Sequence, residues 1–213
     1  MTPAHWPESP RKFLLDGPTG ALEVAATGGR ADPERIAVVC HPHPLHGGTM
    51  DNKVVTMLER TLGDLGVPTM RFNFRGVGAS TGRFDEGHGE GEDLAAVVAQ
   101  ARAWVPGAAL WLAGFSFGSY VSARMAAALD ARLLVSVAPP VGRFAFRALA
   151  RPPCPWIVLQ GEVDEVVDPA LVFDHFAGIE PAVTLLRFVD TGHFFHGKLV
   201  EMRTRLADVL REH

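Results

Sequence analysis

A serine between two glycines is the first residue of this chain whose setting suggests chemistry. The sequence GFSFG at residues 114–118 has the pattern G-x-S-x-G, and it lies between an apolar run and a helical pattern. In that context the motif forms a turn so sharp that larger side chains in place of the glycines would clash. A serine hydroxyl is a poor nucleophile unless a base takes its proton. The motif therefore predicts that Ser116 is a nucleophile, with a base and an acid later in the chain.

Two later segments supply candidates for that base and acid. The sequence DTGHFFHGK contains His193, which follows a glycine directly, and His196, which we expect near the start of the last helix. The sequence GEVDEVVDP offers four carboxylates, of which Asp168 precedes Pro169 as a helix N-cap does. We therefore predict that His193 is the base and that Asp164, in the turn itself, holds its imidazole.

A loop of three histidines, CHPHPLHGG at residues 40–48, could instead bind a metal. Imidazole is a good zinc ligand, and His-x-His brings two rings onto one side of an extended segment. Against a metal, no cluster of carboxylates or cysteines elsewhere has the spacing of ligands. We expect neither a metal nor a cofactor, and we expect the imidazoles of this loop to be structural.

The elements that must position these residues alternate between short apolar runs and amphipathic stretches. The predicted strands are 12–15, 22–26, 36–40, 69–74, 109–113, 133–137, 156–160 and 184–189, and the predicted helices are 52–65, 92–105, 117–129, 169–176 and 198–211. The turn DGPTG joins the first two strands into an antiparallel hairpin. The repetition of strand and helix predicts an α/β fold, with a mostly parallel eight-stranded sheet and helices on both faces.

Composition favours one globular domain over residues 1–213, because 47% of the residues are hydrophobic and 21% are charged. We expect residues 1–11 to be flexible and not to be a signal peptide. A formal net charge of −4 gives no reason to expect nucleic acid or an anionic membrane as a partner. No apolar run approaches the roughly 18 residues of a membrane span. The two cysteines, Cys40 and Cys154, indicate free buried thiols and a cytoplasmic location.

Four motifs together resemble the α/β-hydrolase superfamily. Ser116 in GFSFG, Asp164 in GEVDEVV and His193 in TGHFFHG are similar to its catalytic triad. The sequences CHPHPLHGGTMDNKVV and RFNFRGVGASTG more narrowly resemble small bacterial members without a lid, usually described as predicted hydrolases or esterases. The resemblance spans residues 12–205. It implies a serine hydrolase but does not define the substrate. Our hypothesis is that the protein cleaves small carboxylic esters or thioesters through an acyl-enzyme.

The resemblance also implies roles for two loops. The histidine loop would supply one backbone N–H of an oxyanion hole, and Phe117 would supply the other. His43 is the candidate in the histidine loop, with Leu45 as an alternative, because Pro42 and Pro44 have no N–H to donate. The stretch from Gly76 to Gly82 looks like a dinucleotide-binding loop but has the wrong spacing, and we assign Arg75 to Ser80 a structural role instead. Its position in the superfamily is that of a structural loop beneath the active site.

Two further expectations concern the surface around the site. The stretch DEGHGEGED, residues 85–93, is typical of a solvated loop that leads into a helix at Glu92. The connection APPVGRFAFRALARPPC, between the sixth and seventh strands, is too short for a cap domain. We therefore expect an open pocket that accepts short-chain soluble esters. The residues predicted to line this pocket are Leu45, Phe117, Val141 and Phe144.

Two alternatives remain open at the level of sequence. A hydrolase fold can serve as a non-catalytic ligand-binding protein, because fold alone does not fix function. The same fold can also carry a perhydrolase or a lyase that needs no cofactor. The order of Ser116, Asp164 and His193 along the chain argues against the binding protein, whereas assays of ester cleavage with and without peroxide would distinguish the perhydrolase or lyase.

Overall fold

The computed structural model describes residues 5–29, 33–181 and 183–213, and eight strands in this part of the chain form one sheet. The strands are β1 (Arg11–Gly17), β2 (Gly20–Ala26), β3 (Arg35–Cys40), β4 (Thr69–Phe72), β5 (Ala109–Phe115), β6 (Leu133–Val137), β7 (Trp156–Gly161) and β8 (Thr184–Phe188). Their order is β1-β2-β4-β3-β5-β6-β7-β8. β1 pairs antiparallel with β2, and β2 with β4, whereas every other pair is parallel. The predicted mostly parallel, eight-stranded sheet is confirmed.

Helices cover both faces of this sheet. They are α1 (Lys53–Asp64), α2 (His88–Trp104), α3 (Phe117–Met125), α4 (Pro169–Ala177) and α5 (Leu199–Leu210). Apolar residues of α2, α3 and α4 form one buried layer with the sheet, and those of α1 and α5 form the other. In β3 the neighbouring residues Val38 and Val39 are both fully buried but belong to opposite layers. A strand packed on both faces therefore reads as a continuous apolar run.

The parallel strands bring the predicted site residues to one edge of the sheet. The histidine loop follows β3, and the turn at Ser116 follows the neighbouring strand β5. Asp164 follows β7, and His193 follows β8, which pairs with β7. Because parallel strands end at the same edge, residues far apart in the sequence meet there, as is general in open α/β sheets.

Helix α2 begins at His88, four residues before the predicted start at Glu92, so the expectation of a solvated loop at 85–93 is wrong. The carboxylate of Glu90 is buried and accepts hydrogen bonds from the backbone N–H of Gly87 at 2.7 Å and of Asp85 at 2.9 Å. These bonds satisfy N–H groups at the helix start that would otherwise lack a partner. The glycine-rich composition suggested a loop, but the capping carboxylate makes it a first helical turn.

One glycine of this turn, Gly89, makes room for a buried ion pair. The guanidinium of Arg75 contacts the carboxylate of Asp93 through Nη2 at 2.9 Å, and a Cβ atom on Gly89 would collide with that guanidinium. The hydroxyl of Ser80 donates to the carbonyl of Asn73 at 2.7 Å. The stretch from Arg75 to Ser80 is thus held from both ends and serves a structural purpose, as expected.

The start of the described chain is packed rather than loose. Trp6 is buried, its indole N–H donates to the carbonyl of Thr27 at 2.9 Å, and its ring meets Trp104 edge-on at 5.6 Å. A buried indole with a satisfied N–H is a firm anchor. Trp6 is therefore packed, whereas the flexibility of the whole segment 1–11 stays a prediction, and residues 1–4 lie outside the described part of the chain.

The connection between β6 and β7 contains a single 3₁₀ turn at Phe146–Ala148. It forms no separate layer over the sheet edge, which confirms the prediction that there is no cap domain. None of the described helices is both long and apolar enough to cross a lipid bilayer.

Candidate active site

The turn between β5 and α3 holds Ser116 in an unusual backbone conformation. Its φ is 52° and its ψ is −120°, outside the regions that residues other than glycine normally adopt. The turn is fixed by its surroundings, because the backbone N–H of Ser116 donates to the carbonyl of Val137 at 2.8 Å. A Cβ atom on Gly114 would collide with the backbone of Gly118, and one on Gly118 would collide with the carbonyl of Cys40. Both glycines of the motif are therefore required by close backbone packing.

Asp164 and His193 form a buried hydrogen-bonded pair. Nδ1 of His193 lies 2.9 Å from Oδ2 of Asp164. The other oxygen, Oδ1, accepts the backbone N–H groups of Val166 and Val167, each at 2.8 Å. Burial acts to raise the pKa of Asp164, but the hydrogen bonds from His193 and from these N–H groups hold it below its ordinary value. The carboxylate is therefore charged at neutral pH and oriented at the imidazole.

Asp168 and His196, the alternatives to Asp164 and His193, lie elsewhere in the structure. Asp168 accepts the backbone N–H of Ala170 at 2.9 Å and is the N-cap of α4, with Pro169 in the first turn. His196 is exposed in the turn that precedes α5. The sequence-based distinctions between Asp164 and Asp168, and between His193 and His196, agree with this geometry.

Two residues that were not assigned a role hold the pair in position. The amide Nε2 of Gln160, at the end of β7, donates to Oδ2 of Asp164 and to the carbonyl of Gly161, both at 3.0 Å. The carboxylate of Glu165 accepts the backbone N–H of His193 at 3.0 Å. Gln160 is fully buried, and its Oε1 has no partner in the described residues. Its position in an apolar strand is the signal that could have drawn attention to it.

His41 is a structural residue of the histidine loop. It is fully buried, its Nε2 accepts the backbone N–H of Phe74 at 3.0 Å, and its Nδ1 lies 2.6 Å from the carbonyl of Pro42. These contacts require the proton on Nδ1 and leave Nε2 as an acceptor. Burial lowers the pKa of His41 to about 4, although the bond to Pro42 opposes this shift. A neutral His41 thus ties the histidine loop to the chain that follows β4.

The backbone N–H groups near Ser116 differ in whether they are already used. The N–H of Leu45 donates to Nδ1 of His43 at 3.2 Å. The N–H groups of Phe117 and His43 form no hydrogen bond with any residue in the described ranges. Of the two candidates in the histidine loop, His43 is therefore the one whose N–H is free to bind a ligand.

Ser116 and His193 line one cavity of about 250 Å³ at this edge of the sheet. The other residues that line it are Pro42, His43, His46, Gly47, Gly48, Asn52, Phe117, Pro140, Arg143, Phe144, Val166, Val167 and Phe194. Phe117 and Phe144 are in place as predicted. Leu45 and Val141 do not line the cavity. Leu45 is 68% exposed to solvent, and Val141 is buried in the core. The sequence did not reveal Arg143, His46 or Asn52.

The arrangement of histidines and acids offers no metal centre in residues 5–29, 33–181 and 183–213, where no three His, Cys, Asp or Glu side chains are grouped to hold an ion. Instead, the rings of His43 and His46 stack at 4.4 Å and pack near Phe84, Phe117 and Phe144. This cluster forms one wall of the cavity.

Several known proteins are similar to this chain over most of its length. No family model matches the chain. An uncharacterized protein of Rickettsia prowazekii is 33% identical over 209 residues, which cover 93% of this chain and 88% of that protein. A Xanthomonas campestris structure, described as an α/β serine hydrolase without a lid, is 48% identical with a TM-score of 0.92, covering 99% and 97% of the two chains. An α/β serine hydrolase homologue from Coxiella burnetii is 45% identical with a TM-score of 0.91, covering 95% and 98%.

The burial of His41 predicts a pH-dependent loss of stability. The unfolded chain takes up a proton there near pH 6.5, whereas the folded protein does not until about pH 4, so stability falls as the pH drops through this window. Between pH 7 and pH 5 this one group should cost the folded state about 2 kcal/mol. Urea unfolding at the two pH values should show that His41→Gln loses about that much less than the wild type. The exposed His88→Gln is the control, and equal losses in wild type and His41→Gln would contradict the prediction.

Proposed function

Because this chain belongs to the α/β serine hydrolases without a lid, we propose that it cleaves carboxylic esters or thioesters of small molecules. One observation carries the proposal: Ser116 and His193 line the same cavity, and the buried Asp164 is hydrogen-bonded to His193 behind it. These three side chains are a nucleophile, a base and the acid that orients the base.

In the proposed reaction Ser116 attacks the carbonyl carbon of the substrate while Nε2 of His193 accepts the hydroxyl proton. The tetrahedral intermediate carries a negative oxygen, which the free N–H groups of Phe117 and His43 stabilise by about 3 kcal/mol each. His193 then returns the proton to the leaving alcohol or thiol, and an acyl-enzyme remains. Water attacks this acyl group by the same route and releases the acid, which restores Ser116.

Asp164 acts through the imidazole rather than on the substrate. Its carboxylate accepts the Nδ1 proton of His193 and thereby keeps Nε2 free to act as a base. The same charge stabilises the imidazolium that forms after proton transfer. Gln160 and the N–H groups of Val166 and Val167 hold the carboxylate still, so it need not reorganise during the reaction.

The reaction needs no cofactor, and we propose a reducing compartment such as the cytoplasm as its place. Cys40 and Cys154 are both free and buried, which is the usual state of cysteines in such a compartment.

Loss of the Ser116 hydroxyl should abolish turnover. We expect Ser116→Ala to hydrolyse 4-nitrophenyl acetate at less than a hundredth of the wild-type rate and to lose labelling by a fluorophosphonate probe. Ser122→Ala, which removes a hydroxyl six residues further along in α3, is the control and should be labelled like the wild type. A wild-type protein that the probe does not label would favour a non-catalytic ligand-binding protein.

The two aspartates after β7 should behave differently. Asp164→Asn should reduce kcat by roughly 10³- to 10⁴-fold, because it disturbs the tautomer of His193. Asp168→Asn should retain activity and stability, because asparagine caps a helix as well as aspartate does. Steady-state kinetics and thermal unfolding of both variants test this assignment, and an inactive Asp168 variant beside an active Asp164 variant would reverse it.

The absence of a cap predicts a preference for short acyl chains. An open cavity of about 250 Å³ buries few methylene groups, so each added group gains less than the roughly 0.8 kcal/mol of full burial. We expect kcat/KM for 4-nitrophenyl esters to level off or fall beyond about six carbons, with no rise in rate above the substrate's solubility limit. A steep increase out to twelve carbons would disprove the open pocket.

A further inference from the structure

The cavity at Ser116 is lined by apolar Phe, Val and Pro side chains together with polar ones, and no aspartate or glutamate is among its lining residues. Its polar groups beyond Ser116 and His193 are Arg143, His43, His46 and Asn52. The chain as a whole carries a formal net charge of −4. The positive charge of Arg143 at this cavity is therefore opposite in sign to the net charge of the protein.

The guanidinium of Arg143 has no partner in the described chain: it forms no ion pair and donates no hydrogen bond there. Arg75 and Arg124, by contrast, are each bound by a carboxylate or a carbonyl. A guanidinium presents several N–H donors in a planar fork, which matches the two oxygens of a carboxylate or a phosphate. Arg143 is thus a free donor group at the mouth of the cavity.

The backbone that carries Arg143 is fixed. Its N–H donates to the carbonyl of Pro140 at 2.9 Å, and its carbonyl accepts the N–H of Phe146 at 3.0 Å. Phe144 and Ala145, which follow it, both adopt positive φ values, 54° and 52°. Such conformations persist only where the surroundings enforce them. The backbone of this loop therefore holds Arg143 in a fixed position at the cavity.

Two neighbours offer neutral hydrogen-bond donors beside Arg143. Burial lowers the pKa of His43, and the charges of His46 and Arg143 lower it further, so its ring is neutral at pH 7. Because Nδ1 of that ring accepts the N–H of Leu45, its proton lies on Nε2. Asn52 uses its Oδ1 to cap α1 by accepting the N–H of Val54 at 2.9 Å. Its Nδ2 donors are therefore the part of the amide that remains for a ligand.

We propose that Arg143, with His43, His46 and Asn52, forms an anion subsite, and that the substrate is an ester or thioester that carries a carboxylate or phosphate group. This inference rests on the proposed function, because it concerns the substrate of the same site. The anion binds beside the reacting carbonyl, and the guanidinium selects it over a neutral group of the same size.

Matched esters test the subsite. The first pair has one five-carbon acyl chain that ends in a carboxylate or a methyl group: 4-nitrophenyl hydrogen glutarate and 4-nitrophenyl pentanoate. The second pair has the charge on the leaving group: 4-acetoxybenzoate and 4-methylphenyl acetate. The readout is the ratio of kcat/KM between the charged and the neutral ester, so that differences in intrinsic reactivity cancel when variants are compared.

We expect Arg143→Gln to lower this ratio at least tenfold in one of the two pairs, and Arg143→Glu to lower it further. Salt should also lower the ratio for the wild type, because Arg143 is exposed and its charge is screened. Arg147→Gln, which removes an exposed arginine four residues along the same connection, is the control and should keep the wild-type ratio. A ratio that Arg143→Gln leaves unchanged in both pairs would overturn the subsite.

A binding measurement separates this inference from the proposed function. Calorimetric titration of Ser116→Ala with 4-nitrophenyl hydrogen glutarate should give a Kd at least tenfold lower than titration of the Ser116→Ala, Arg143→Gln double variant. If the wild type fails to hydrolyse neutral esters and to react with the fluorophosphonate, the proposed hydrolysis is wrong, and the titration still decides the subsite. Equal Kd values for the two proteins would refute it.

Discussion

The close approach of the turn at Ser116 to the end of β3 is the constraint on which the site depends. Gly118 leaves no room for a side chain because the carbonyl groups of Cys40 and His41 lie against it. The contact holds the start of α3 beside the histidine loop, which puts the free N–H groups of Phe117 and His43 at the same cavity. A larger residue at position 118 would separate the nucleophile from the loop that completes its surroundings. The positive φ of Ser116 is maintained by this packing.

The remaining loops are fixed by polar groups that are buried and almost fully satisfied. His41 ties the histidine loop to Phe74 with a neutral ring, and Asp164 is held by Gln160 and by the backbone of its own turn. Such networks position side chains well because breaking one member leaves the others buried without partners. Among the described residues, Oε1 of Gln160 is the one buried polar side-chain atom without a hydrogen-bond partner. It lacks a partner because the amide directs its nitrogen at the carboxylate of Asp164.

The sequence was informative wherever local chemistry decides the structure. Continuous apolar runs predicted β3, β5, β6 and β7, since strands buried on both faces need no polar positions. The proline after Asp168 distinguished a helix cap from the acid that orients His193. Sequence failed where tertiary packing decides. The glycines before Glu92 indicated a loop, but Gly89 is small because Arg75 lies against it, and a distant contact of this kind leaves no local pattern.

The lining of the cavity was the least predictable part of the site for the same reason. Leu45 and Val141 are apolar and lie in the correct loops, yet the 3₁₀ turn at Pro44–His46 leaves the side chain of Leu45 exposed, and Val141 packs into the core. The direction of a side chain in an irregular loop depends on backbone angles that composition does not specify. Arg143 faces the cavity for that reason, although nothing in its local sequence marks it.

The negative and positive groups of the site lie at different distances from the cavity. The carboxylate of Asp164 lies behind the ring of His193 and is not among the residues that line the cavity, so in the proposed mechanism it stabilises an imidazolium from behind. The cavity itself presents N–H donors and the guanidinium of Arg143, and no carboxylate lines it. In the proposed reaction, a negative oxygen that develops on the substrate therefore meets these donors, and the ring of His193 separates it from the carboxylate of Asp164. The same separation that favours a developing oxyanion also favours a substrate that is already an anion, because both depend on keeping acidic groups out of the lining.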